Sequence, residues 1–197
     1  MTDQSTYTAF DGHRQIAAGT AVAVATSLKK RQADAAAVNV LVFDDRTGRE
    51  VDFDLRGTAD EVAARLRPTN VPDTSTAGPR GPGRPRLGVV AREVTLLPRH
   101  WEWLASQPGG ASVTLRRLVE QARRASAFDD VRRNCQERAY RFMSAIAGNL
   151  PGFEEASRAV FSDDRAKLAE IVSLWPADVA AHVTRLASSS DMEEAGH

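Results

Sequence analysis

The sequence predicts an α+β fold in which a small antiparallel sheet is joined to helices. From Glu50 to Leu55 acidic and apolar residues alternate, as they do in a strand with one buried face. Asp11-Gly12 lies between two β-prone runs and is typical of a two-residue hairpin. Beyond about residue 126, apolar residues recur three or four positions apart, which is the spacing of one helix face. These patterns place strands early in the chain and helices late.

Residues 6–67 are expected to form a small ββαββα unit, with helices covering one face of an antiparallel sheet. After the first hairpin, an Ala-rich helix opens near Gly19-Thr20. A β-prone run at 38–43 then turns and returns as 49–55. The return strand should bury its apolar residues and leave its acidic residues in solvent.

Thr58 and Glu61 have the spacing of a capping box, which predicts a short helix before a linker. The linker, residues 68–91, is rich in Arg, Pro and Gly and should be flexible, because it cannot bury enough apolar surface to stay ordered. Residues 92–187 are expected to form a third part made mainly of helices. Residues 188–197 resemble a disordered tail.

Within residues 92–124 the spacing of the apolar residues changes from that of a strand to that of a helix. Val94 and Leu96 alternate as in a strand, and Pro98 then suits the first turn of a helix. A Gly-containing loop precedes a second run at helical spacing. This order resembles the ribbon-helix-helix DNA-binding unit, in which two protomers pair their strands into a ribbon that lies in the major groove. The resemblance implies a homodimer through residues 92–124.

Carried over by position, this resemblance points Thr95 toward base edges and puts Arg92 and Arg99 near phosphates. Gly110 to Ser112 would open the second helix, whose free N–H groups bind phosphate in that family. Glu93 departs from the pattern, because its carboxylate would repel phosphate. The open alternative is that the same strand and helices are only core scaffolding.

Gly83-Arg84-Pro85-Arg86 resembles the centre of an AT-hook, which inserts Arg side chains into the minor groove of A·T-rich DNA. An extended, Pro-held backbone with flanking Arg suits that narrow groove. Arg84 and Arg86 are therefore expected to bind DNA beside the predicted ribbon. Pro82 interrupts the usual Arg-Gly-Arg-Pro run, and a plain linker is the alternative.

Longer strings, spread over nearly the whole chain, resemble a single bacterial family. They are Ala9-Phe10-Asp11-Gly12-His13, residues 88–104 with 107–112, residues 140–156, and Trp175-Pro176-Ala177-Asp178. The family that they resemble is catalogued as domain of unknown function 2239. This resemblance implies no established activity.

The formal net charge is zero, but the charges are unevenly distributed. Residues 80–142 hold 13 Arg, 6 acidic residues and no Lys, which is a surplus of seven positive charges. Arg binds phosphate bidentately and contacts guanine edges better than Lys does. The surplus favours a nucleic-acid partner, and the alternative is a solvated basic face that balances an acidic remainder.

Signals for catalysis, a cofactor or a metal are weak. Four acidic residues lie around one hairpin and are accounted for by strand alternation and the turn: Asp44, Asp45, Asp52 and Asp54. His13 and His100 lack a partnered nucleophile motif, and no Gly-rich phosphate loop follows a strand. Cys135 is the sole cysteine, so no intrachain disulfide can form. We therefore expect no enzyme and no cofactor.

No apolar run approaches the ~20 residues that cross a bilayer, and residues 1–5 lack the pattern of a secretory signal. We therefore expect a cytoplasmic protein that does not enter the membrane. The predicted function is double-stranded DNA binding, or transcriptional regulation, by a dimer. The alternative is a protein-interaction or scaffold protein that binds no nucleic acid.

Overall fold

The computed structural model describes residues 6–33, 40–67, 90 and 92–188. Within these residues the chain is α+β, as predicted, with a four-stranded antiparallel sheet and seven helices. The chain divides into two compact units, the first made of Met1–Pro68 with Phe128–His197 and the second of Thr69–Ala127. Nearly all of the predicted linker and tail lies outside the described residues.

The sheet belongs to the first unit. Its strands are β1 (Thr6–Asp11), β2 (Arg14–Thr20), β3 (Val40–Asp44) and β4 (Arg49–Glu50), in the order β2-β1-β3-β4. Asp11 pairs with Arg14, so the first hairpin turns through Gly12 and His13, one residue later than predicted. Gly12 has φ +57°, which favours glycine because it has no Cβ.

The helices are α1 (Ala21–Ala33), α2 (Ala59–Leu66), α3 (Pro98–Ser106), α4 (Gly110–Ile146), α5 (Phe153–Phe161), α6 (Arg165–Val172) and α7 (Ala177–Ala187). The predicted capping box is confirmed at α2: Glu61 N–H donates to Thr58 Oγ1, and Thr58 N–H donates to the Glu61 carboxylate. None of the described helices is long and apolar enough to cross a membrane.

Side chains alternate between the two faces of the sheet along each strand, and each face packs on a hydrophobic core. Ala9 and Val42 point to one face, in a core shared with α1 and α2. Phe10 and Phe43 point to the other face, where their ring centroids lie 5.2 and 4.8 Å from that of Phe142 on α4. Helices on a single face were expected. The second layer exists because the N-terminal helices cannot also cover these two phenylalanines.

The rest of this second layer comes from α5, α6 and α7, which contribute Val160, Leu168 and Val183 to the same core. The C-terminal helices therefore share a compact unit with the N-terminal sheet. The division expected from the sequence grouped them instead with the segment from residue 92.

The hairpin of β3 and β4 fits closely against α4. The return strand is shorter than the predicted 49–55, although Val51 N–H still donates to Val42 O at 2.8 Å. Gly48 has φ +67°, and a Cβ there would overlap the backbone carbonyl of Arg138. This turn therefore admits glycine alone without a shift of the backbone.

Candidate nucleic-acid interface

The segment for which a ribbon strand is predicted forms no strand in the structure. Residues 92–97 have no regular secondary structure, and Leu97, which precedes α3, has extended backbone angles of φ −66° and ψ 148°. The backbone groups of Arg92 to Leu96 have no hydrogen-bond partner within residues 6–33, 40–67 and 92–188. Pro98 begins α3, as predicted.

Two left-handed glycines join α3 to α4. Gly109 has φ +85° and Gly110 has φ +72°, and a Cβ on Gly109 would press against Val113. Gln107 closes the end of α3, and its carbonyl accepts from Gly110 N–H at 3.0 Å. The connection is therefore a tight turn between two helices, in the position where the sequence predicts a loop.

The predicted site residues that the structure describes lie on this segment. The side chains of Arg92, Thr95 and Arg99 are exposed, and none has a polar partner among the described residues. Ser112 is exposed in the first turn of α4, which begins at Gly110. The two remaining predicted residues, Arg84 and Arg86, lie outside the described residues.

The same segment exposes an unusual amount of apolar surface. Leu104 is buried, but Val94 is 55% exposed and Val119 is 64% exposed. The other large exposed apolar residues between 94 and 119 are Leu97, Trp101, Trp103, Val113 and Leu118. Apolar patches of this kind mark interaction sites more often than single exposed residues do.

The first turns of α4 are amphipathic. At about 100° per residue, Leu115, Leu118, Val119 and Ala122 fall within an arc of about 100°. Arginines fall within about 120° on the opposite side. They form what we call the arginine face: Arg116, Arg117, Arg123 and Arg124. None of these four arginines is among the predicted site residues, although their helical spacing is a signal that could have identified them.

Glu120 lies in the middle of the arginine face. Its Oε1 accepts from Arg123 Nη2 at 2.9 Å and from Arg124 Nε at 3.0 Å. These hydrogen bonds, from Arg123 first and then Arg124, lower the pKa of Glu120 to about 2. Glu120 therefore stays ionised at neutral pH, and it neutralises part of the positive charge of this face.

A separate group of polar residues is buried in the first unit, between the sheet and α7. Thr8 Oγ1 donates to Asp45 Oδ2 at 3.0 Å, and Arg185 Nη1 donates to the same oxygen at 3.3 Å. Arg185 Nη2 donates to His182 Nδ1 at 2.7 Å, so the imidazole carries its proton on Nε2. His182 Nε2 lies 3.5 Å from Asp45 Oδ1. In the sequence Asp45 has the pattern of an ordinary turn residue, which gives no sign of this cluster.

Arg138 of α4 completes the buried cluster. It is 2% exposed, and it donates to Leu186 O at 2.7 Å and to Ser188 O at 2.6 Å. Its Nη1 lies 3.5 Å from the Asp45 carbonyl oxygen. The cluster thus joins the β3–β4 turn to α4 and to the end of α7, and its geometry is that of a structural anchor.

His182 is neutral in this cluster although a carboxylate lies beside it. Burial first, and then the cations of Arg185 and Arg138, together lower its pKa from 6.5 to about 3. The rings of Phe10 and Phe142 lie 5.2 and 4.4 Å from the imidazole, centroid to centroid. Desolvation and two guanidinium groups therefore outweigh the attraction of the Asp45 carboxylate.

No group of three or more His, Cys, Asp or Glu side chains that could hold a metal ion occurs in the described part of the chain. The fold and the site define an α+β protein in which two helices, α3 and α4, are joined by a tight turn, and the first turns of α4 are apolar on one side and basic on the other. The model of a family described as an uncharacterized protein conserved in bacteria (DUF2239) matches residues 6–187. The chain belongs to this family, as its resemblance predicted. No curated protein and no solved structure matches the chain.

Proposed function

We propose that the protein binds double-stranded DNA as a homodimer formed through residues 92–124, in the manner of a ribbon-helix-helix regulator. The observation that carries this proposal is the exposed apolar surface on residues 94–97 and on the two helices that follow them. The same stretch of chain carries the exposed Arg92 and Arg99 before α4 and the four residues of the arginine face on α4.

Dimerisation accounts for two features of the segment, its backbone groups without partners among the described residues and its exposed apolar side chains. Pairing residues 92–97 with the same residues of a second copy would give those backbone groups hydrogen-bond partners. In the same dimer, the exposed faces of α3 and α4 would cover each other and remove apolar surface from water. One two-fold arrangement thus satisfies the backbone and the side chains together.

DNA is the partner that the polar groups of this segment favour. In the proposed dimer Thr95 lies on the outer surface of the ribbon, at the base edges of the major groove, and Arg92 and Arg99 contact phosphates. The N-terminus of α4, at Gly110 and Ser112, offers free N–H groups to a further phosphate. The Arg84-Pro85-Arg86 sequence supports the same partner through the minor groove.

The dimer is tested by Leu96→Asp. The wild-type protein is expected to sediment at about twice the mass of one chain at micromolar concentration, and the variant at the mass of one chain, because a buried carboxylate would disrupt the paired ribbon. Leu174→Asp is the matched control, since Leu174 is 75% exposed in the first unit and its variant should remain dimeric. A wild-type monomer would remove the ribbon model.

DNA binding is tested by fluorescence anisotropy with labelled random and genomic duplexes, titrated at several salt concentrations. Arg92→Ala with Arg99→Ala is expected to weaken binding to all sequences and to reduce the slope of log K against log salt by about two. Thr95→Ala should instead alter the preference among sequences. The control is Arg165→Ala, which removes an exposed arginine of α6. Absence of binding at ~10⁻⁴ M and low salt, where even non-specific DNA-binding proteins bind, would contradict the proposal.

A further inference from the structure

We infer that the arginine face of α4 is a second contact with the DNA backbone and that Glu120 weakens this contact. This inference rests on the proposed DNA binding and names residues beyond the ribbon and the helix N-terminus. Its basis is the placement of four arginines opposite the apolar stripe of α4, with one carboxylate in their midst.

The arginine face stays accessible when the dimer forms. The apolar residues Leu115, Leu118 and Val119 are turned toward the partner, and the arginines lie on the opposite side of the same helix. The side chains of Arg123 and Arg124 are 72% and 77% exposed. Arg116 is exposed and donates from Nε to Ser112 O at 3.0 Å, and its terminal nitrogens have no partner among the described residues.

The length of the face matches the dimensions of DNA. Eight residues separate Arg116 from Arg124, so the face extends about 12 Å along the helix at 1.5 Å per residue. The major groove is also about 12 Å wide. A helix that lies across or beside the groove can therefore place guanidinium groups on phosphates at both ends of this face, each of them bidentately.

Glu120 competes with phosphate for the same donors. It holds Arg123 and Arg124 through exposed ion pairs, which contribute little to stability, so a phosphate can displace the carboxylate. After displacement the carboxylate would still lie beside the phosphate and repel it. Wild-type affinity is therefore expected to be lower than the four arginines alone would produce.

The experiment compares variants by anisotropy with a random duplex over a range of salt. Glu120→Gln should bind about five-fold more tightly, the factor that corresponds to the ~1 kcal/mol upper value of an exposed ion pair. Arg123→Gln with Arg124→Gln should reduce the salt slope by about two, and Arg123→Lys with Arg124→Lys should retain it. Circular dichroism measures whether each variant retains the helix content of the wild type.

Arg132→Gln with Arg133→Gln is the matched control. These arginines lie on the same helix in similar ion pairs, with Asp129 and Asp130, outside the arginine face. Their variant should bind like the wild type. If the wild type binds DNA and the Arg123→Gln with Arg124→Gln variant binds equally well, the arginine face is refuted while the proposed function stands. Unchanged affinity of Glu120→Gln refutes the role of Glu120, and a wild type that binds no DNA overturns both proposals.

Discussion

Replacing Asp45 with Ala is expected to lower the free energy of unfolding by about 1–3 kcal/mol, the usual cost of leaving a buried hydrogen-bond donor without its acceptor. The Asp45 side chain is 6% exposed, and its Oδ2 accepts from Thr8 Oγ1 at 3.0 Å and from Arg185 Nη1 at 3.3 Å. Without this carboxylate the fully buried hydroxyl of Thr8 would lose its acceptor, and Arg185 would lose its charged partner. The variant therefore leaves a buried polar group unsatisfied.

Urea denaturation of the wild type and the variant, monitored by circular dichroism, measures this difference. Asp54→Ala is the matched control, because Asp54 forms its ion pairs with Arg56 and Arg65 at the surface. Surface pairs are screened by solvent, so this variant should lose far less stability than Asp45→Ala. If the two variants lose equal stability, the buried cluster is not the anchor that its geometry indicates.

The parts of the fold that follow from local pattern could be predicted from the sequence. The alternation of Val51, Phe53 and Leu55 placed these side chains on one face, and the structure has all three in a single core. The capping box at Thr58 and the helix start at Pro98 likewise depend on residues a few positions apart. Such features depend on residues that are close in the chain, so the sequence pattern predicts them.

The second layer of the sheet and the buried cluster depend on distant residues. Phe10 contacts Phe142, and Asp45 meets Arg185, across more than a hundred residues of chain. An aspartate that follows a strand and precedes Gly48 has the local pattern of any turn residue. Neither its burial nor the neutral state of His182 can be inferred without the tertiary contacts that cause them.

The candidate interface also has some features that follow from local sequence pattern and others that do not. The starts of α3 and α4 and the two sides of α4 follow from local signals and 3.6-residue periodicity, but the expected end of the unit near residue 124 is wrong, since α4 continues to Ile146. The hydrogen bonds from Arg123 and Arg124 to Glu120 also follow from i,i+3 and i,i+4 spacing. The proposed pairing of residues 92–97 does not, because it needs a second chain.

His182 should make the protein less stable as the pH falls below about 6.5. Its pKa is about 3 in the folded state, below its ordinary value of 6.5, so the unfolded chain binds a proton more readily than the folded chain does. The stability that depends on the neutral imidazole is complete above pH 6.5 and is lost progressively between pH 6.5 and about 3. At pH 5 the loss should reach about 2 kcal/mol, at 1.36 kcal/mol per pH unit below 6.5.

The measurement is the free energy of unfolding in urea at pH 7 and at pH 5, for the wild type and for His182→Gln. Glutamine cannot take up a proton, so the variant should be less stable at pH 7 but should lose about 2 kcal/mol less than the wild type between the two pH values. Carboxylates that begin to titrate near pH 5 affect the wild type and the variant equally. The difference between the two proteins in the loss of stability from pH 7 to pH 5 therefore isolates His182. Parallel pH profiles would mean that this imidazole takes up its proton as easily in the folded protein as in the unfolded chain, which its burial between Phe10, Phe142 and two arginines argues against.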